Sequence, residues 1–102
     1  MVFVETPIFT KRVLNLLDDE SYAALQTHLA KHPEAGDVIR GGGGLRKIRW
    51  AAKGHGKRGG VRVIYYWWTG KDLISMLFLY PKNEMDDLSA EQLKLLRRAL
   101  EI

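Results

Sequence analysis

The chain opens on "VFVETP", where Val2 and Val4 flank Phe3 in a run that stops at Pro7. β-Branched and aromatic residues fit a pleated strand better than a helix, so a first strand is predicted here. From Ile8 the spacing changes: Phe9, Val13, Leu16 and Leu17 recur at three- and four-residue intervals, as on one face of a helix. The following "DDES" supplies oxygens able to cap a second helix, whose Tyr22, Leu25 and Leu29 share a face and which should end near Pro33. These two elements make a helical hairpin. "HPEAGDVIRGGGG" then reads as a connecting loop, made supple by four consecutive glycines.

Beyond the glycines the period becomes two. "LRKIRWAA" places Arg46, Ile48 and Trp50 on one face and Leu45, Lys47 and Arg49 on the other. The first face is the more apolar and is assigned to the core. "VRVIYYWW" repeats the alternation, with Val61, Val63, Tyr65 and Trp67 inward and Arg62, Ile64 and Tyr66 outward, so that Lys47, Arg49 and Arg62 share an open face. "LISMLFLY" hardly alternates, as expected of a central strand covered on both sides, and "TGKD" closes the hairpin before it. Ser89 with Gln92 three residues later has the pattern of a capping box, opening a last helix with Leu93, Leu96 and Leu100 inward. The predicted order is β-α-α-β-β-β-α: an α+β fold with a small, mostly antiparallel sheet.

Length and composition bound this picture. A chain of 102 residues with 46% hydrophobic content can bury one core, so one domain over residues 1–102 is expected. There are no cysteines, which excludes disulfides and thiolate metal sites. No apolar run approaches the roughly eighteen residues of a membrane span, and "MVFVETPIF" lacks the basic start and cleavage site of a signal peptide, so a cytoplasmic protein without membrane contact is expected.

Charge adds the most. Gly41 to Trp68 carries seven Lys or Arg and no carboxylate, while the whole chain is only +4, which leaves −3 for the remainder. Such a localised field attracts a polyanion or an acidic protein; the plain alternative is a solvated sheet face. RNA suits the first reading, because basic groups neutralise phosphate while Tyr and Trp offer stacking surfaces.

Several motifs carry less than they suggest. Gly54, Gly56 and Gly59 spell G-x-G-x-x-G, but a dinucleotide site needs that motif to open a helix, and a strand follows here. His28 and His32 lie one helical turn apart, yet two ligands make no zinc site, and both are assigned to the helix surface. Lys94, Arg97 and Arg98 fall near the end of the last helix, where cations complement its dipole; they are read as solvated, with RNA contact as the alternative.

The order of elements, "GGLRKIRWA", the basic glycine-rich loop, "RGGVRVIYYW" and "YPKNEMDDLS" before a terminal helix together closely resemble HigB-type toxins of the RelE/ParE superfamily. The resemblance covers nearly the whole chain. It implies a bacterial type II toxin: an endoribonuclease that cuts mRNA in the A site of the 30S ribosomal subunit and is silenced by a cognate antitoxin, with no cofactor and no metal. It also places catalytic basic residues at "RKIR" and "VRV" and another in the region of Lys82, with Tyr80 beside it to position substrate.

The chemistry of such a site is accessible to Lys and Arg. The 2′-hydroxyl of RNA is an internal nucleophile, so an enzyme need only align it, take its proton, stabilise the added negative charge and protonate the leaving 5′-oxygen. Lysine can act as a base when neighbouring cations depress its pKa, whereas arginine stays charged. Lys47 is accordingly the candidate base, with Arg49 and Arg62 as stabilisers. Arg46, Lys53, His55, Lys57, Arg58 and Tyr66 are the candidate contacts to RNA or ribosome, and the basic segment is also a natural target for an acidic stretch of the antitoxin. Two other readings share the fold: a ParE-like gyrase poison without nuclease chemistry, and an inactive module that binds RNA or antitoxin.

Overall fold

The computed structural model describes the backbone of residues 1–52 and 56–100, and the side chains of all of these except 52 and 56–59. In chain order the elements are β1 (Val2–Glu5), α1 (Pro7–Leu16), α2 (Asp19–Lys31), β2 (Asp37–Val38), β3 (Arg46–Ala52), β4 (Gly56–Trp68), β5 (Leu73–Pro81) and α3 (Ala90–Arg98). Each helix starts where a side-chain oxygen can satisfy a free amide. Thr6 accepts from Phe9 N–H at 3.1 Å, ahead of Pro7 at the first helical position. Asp18 accepts from Ser21 N–H at 2.7 Å. The expected capping box is complete: Ser89 Oγ accepts from Gln92 N–H at 3.1 Å, and Gln92 Oε1 accepts from Ser89 N–H at 2.7 Å.

The strands form one sheet in the order β1-β5-β4-β3-β2, with β1 parallel to β5 and the other pairs antiparallel. The α1–α2 hairpin covers one face through Phe9, Val13, Leu25 and Leu29, packed on Ile48, Val63, Tyr65 and Met76. Burying an aliphatic or aromatic side chain contributes about 1.5–3 kcal/mol against about 1 kcal/mol for a cap, so packing holds the hairpin and the caps set its ends. The opposite face carries Leu45, Ile64, Leu77 and Tyr80, partly covered by Leu93 of α3. The α+β architecture and the predicted faces of β3 and β4 are as the sequence implied. Among the described residues no helix is long and apolar enough to cross a membrane.

Three details differ. β5 is an interior strand, but β4 is the middle one; the missing alternation of "LISMLFLY" comes partly from a register shift that leaves Leu77 and Phe78 both on the α3 side. β4 begins at Gly56 rather than Val61, because a ladder is made by backbone groups, and the glycine-rich stretch needs no side-chain pattern to pair. The "HPEAGDVIRGGGG" segment is built rather than supple. Asp37 and Val38 pair with Lys47 and Arg46, and a turn follows in which Gly42 N–H donates to Ile39 O at 2.9 Å and Ile39 N–H to Leu45 O at 2.9 Å.

Tyr65 fixes where that segment lies. Its buried hydroxyl donates to Pro33 O and accepts from Gly36 N–H, both at 2.8 Å. A Cβ on Gly36 would stand 2.8 Å from the Tyr65 ring, so only glycine permits the approach. Tyr65→Phe is expected to lose about 1–3 kcal/mol, because it strands a buried donor and acceptor; urea unfolding measures this.

Candidate active site

The register brings the predicted cations together. Across β3, β4 and β5 one row reads Arg49, Arg62, Tyr80, and the adjacent row reads Lys47, Ile64, Phe78. Directly opposed side chains on one face lie about 5 Å apart. Lys47, Arg49 and Arg62 thus stand on one face with Tyr80, close enough for a single phosphate to meet more than one of them. Two arginines directly opposite each other are locally unfavourable. Local rules of this kind are most often broken where function requires it.

The face is open at Arg49, as expected, but not at Arg62. Arg62 is only 5% exposed, whereas Arg49 opposite it is exposed and Lys47 half-buried. Its Nη1 is buried without a hydrogen-bond partner, and among the described residues no carboxylate pairs with the guanidinium. An uncompensated buried cation costs several kcal/mol of desolvation. An anion arriving beside it relieves that cost.

Lys47 is held differently. Its Nζ donates to Asp87 Oδ1 at 2.7 Å, with the lysine side chain 29% and the aspartate 77% exposed. The Lys47 hydrogen bond and charge hold the Asp87 carboxyl below its ordinary value. A depressed carboxylate stabilises the fold above the ordinary aspartate range and loses that contribution as pH falls through the lowered value. In a carbon-detected NMR titration Asp87 should therefore titrate below 3.8, and Lys47→Ala should return it to about that value; an unchanged midpoint would show that the contact is absent in solution.

Tyr80 is fully buried at the floor of the site, and its hydroxyl donates weakly, at 3.5 Å, to Asp86 O. Burial pushes its pKa up, against a smaller opposing effect of Lys47, so it is a neutral phenol at physiological pH. The cleft above has a volume of about 410 Å³ and lies between the Asp37–Arg40 segment, Lys47, Ile64 and Tyr80 of the sheet, and Asp87, Leu88 and Leu93. Asp37 and Arg40 on its rim were not singled out by the sequence; they arrive through the β2 pairing, for which a two-residue strand leaves no readable pattern.

Residues 10–101 match the RelE toxin of the RelE/RelB toxin–antitoxin system. The chain belongs to the RelE toxin family. The match runs from within α1 to the end of α3 and includes every residue of the two cationic rows.

The other candidates are placed less uniformly on this RelE-family fold. Lys82 is exposed one residue beyond β5, its amide bonded to Gly60 O at 3.5 Å, so it stands just past the Arg62–Tyr80 pair. Arg46 is on the opposite sheet face, donating to Glu34 O at 3.0 Å and Gly36 O at 2.9 Å, where it ties down the cleft wall rather than joining the cationic rows. Tyr66 is outward, beyond Ile64 on β4. Lys53 and His55, and the side chains of Lys57 and Arg58, lie outside the described residues. His28 and His32 have ring centroids 5.4 Å apart, and His28 also packs at 5.4 Å from Trp50. Among the described residues no group of three or more His, Cys, Asp or Glu could hold a metal ion.

Proposed function

We propose that this RelE-family toxin is a ribosome-dependent endoribonuclease of HigB type, cutting mRNA in the ribosomal A site, with a cognate antitoxin as its inhibitor. The observation that carries the reading is Arg62: a buried guanidinium lacking a counter-ion, in a row with Arg49 and Tyr80 and beside Lys47. The scissile phosphate supplies the missing negative charge.

In the proposed reaction Lys47, released from Asp87 and having given its own proton to solvent, takes the proton of the 2′-hydroxyl as the free amine, the 2′-oxygen attacks phosphorus, and the bond from phosphorus to the 5′-oxygen breaks. Arg62 and Arg49 hold the phosphate oxygens as their charge grows, which is the larger part of the catalysis. Lys82 protonates the departing 5′-oxygen, and Tyr80, on the floor of the cleft, helps to position the substrate. Asp87 holds Lys47 until a phosphate takes its position. The products are a 2′,3′-cyclic phosphate and a free 5′-hydroxyl, and no metal enters the reaction. Docking on ribosomal RNA through Lys53, His55, Lys57 and Arg58 supplies the alignment that free RNA lacks.

Primer extension on mRNA during induced expression tests this, with a gyrase cleavage assay beside it. New mRNA ends within translated regions are expected, together with efficient cutting of translated mRNA in vitro that survives EDTA under conditions that leave translation running, and poor cutting of naked RNA. Trapped gyrase with intact mRNA would replace this reading with the gyrase-poison one, and loss of cutting on chelation would remove the metal-free mechanism.

A further inference from the structure

The outward residues of β4 form a line: Arg62, Ile64, Tyr66, Trp68. α3 lies across it with Leu93 near Ile64, so the line has two openings, the cleft at one end and a second pocket at the other. At about 3.4 Å per residue, Arg62 and Trp68 are about 20 Å apart.

The second pocket, about 350 Å³, is lined by Tyr66 and Trp68 from the sheet, Gly43 from the glycine turn, and Lys94, Arg97 and Arg98 from α3. The Tyr66 and Trp68 rings meet edge to face, with centroids 4.9 Å apart, and Trp68 is held by a 2.9 Å hydrogen bond from its Nε1 to Ser75 Oγ. Lys71 Nζ stands 5.3 Å from the Trp68 centroid. Among the described residues no carboxylate lines the pocket, and none of its three cations has a hydrogen bond or ion pair. Gly43 keeps it open: its φ is +62°, and a Cβ there would stand 2.3 Å from Arg97 Nε.

We propose that this pocket binds one nucleotide of single-stranded RNA, its base against the Tyr66–Trp68 pair and its phosphate on Arg97 and Arg98, on the same strand that occupies the cleft. The aromatic pair decides against a purely acidic peptide, which would use the cations and leave the rings idle, whereas a nucleotide uses both. The common face decides for the same strand, because Ile64 lines the cleft and Tyr66 and Trp68, the next outward residues of β4, line the pocket. The strand's identity as substrate rests on the proposed function; binding does not.

The test uses the full chain and oligonucleotides with every 2′-hydroxyl methylated, which cannot be cut. One spans both openings and the other is a trinucleotide that fills only the cleft. Fluorescence anisotropy against salt compares the natural chain with an Arg97→Gln, Arg98→Gln variant, whose exposed changes leave the fold intact. The variant should bind the long oligonucleotide about tenfold more weakly, with a log–log salt slope shallower by about 0.7 for the one phosphate no longer neutralised, while the trinucleotide is unaffected. Equal affinity and slope for the long strand, an equal loss for both lengths, or binding of a glutamate-rich peptide in place of the long strand would each overturn the proposal. Weak cutting by the natural chain, with the binding difference intact, would count against the nuclease reading alone.

Discussion

Arg62→Met is expected to abolish mRNA cleavage and at the same time to stabilise the fold. The guanidinium is 5% exposed with an unpartnered Nη1, so folding removes its hydration without a compensating bond, and an apolar side chain of similar length fills the space without that loss. Even for buried ion pairs, replacement by well-packed apolar residues is often neutral or stabilising by about 1–4 kcal/mol. We expect about 1–3 kcal/mol here, which for a domain of this size raises the melting temperature by several degrees per kcal/mol. Inorganic phosphate should raise the midpoint of the natural chain and leave that of the variant unchanged, because a ligand stabilises only the state that binds it. Thermal unfolding with and without phosphate measures both. A variant destabilised by a kcal/mol or more, with no phosphate effect on the natural chain, would make Arg62 a structural residue and remove the anion site.

Substitutions at Lys47 separate charge from proton transfer. Lys47→Ala should lower the cleavage rate about 10²- to 10⁴-fold, the usual worth of a positioned acid or base. Lys47→Arg keeps the positive charge and a partner for Asp87 but cannot serve as a base, so its loss should be nearly as large. The measurement is single-turnover cutting of translated mRNA at saturating toxin, with unfolding curves to show that each variant is folded. An arginine variant within about tenfold of the natural rate would make Lys47 a clamp and send the search for the base elsewhere in the site.

The two positions also show how differently one strand pattern can be realised. Lys47 and Arg62 face the same way, as the two-residue period required, yet Lys47 is paired with an exposed carboxylate and Arg62 is buried without one. Periodicity assigns a face, but it does not say what covers that face. Over the neighbouring Ile64 and Tyr80 the cover comes from Leu93 of α3 and from Met85 and Leu88 before it, residues far along the chain. Arg12 of α1 adds to this by bridging to Glu84 at 2.8 Å while its Nε donates to Leu79 O at 2.8 Å, a contact that no local pattern announces.

By itself the sequence determined what local forces control. Helix starts follow from Thr6, Asp18 and Ser89, which can each reach a free amide within one turn. The inward faces of β3 and β4 follow from a strict alternation that a one-residue slip would turn inside out. The cluster of charge in one segment is legible because charge adds without reference to shape. Tertiary structure alone decided the rest: that β1 lies parallel to β5, that β4 is the middle strand, that Asp37 comes beside Lys47, and that Arg62 is enclosed. These depend on which apolar surfaces meet across the sheet and on bonds such as that between Tyr65 and Gly36. Hydrophobic attraction has no direction along the chain, so no single stretch of the sequence records where it brings two distant segments together.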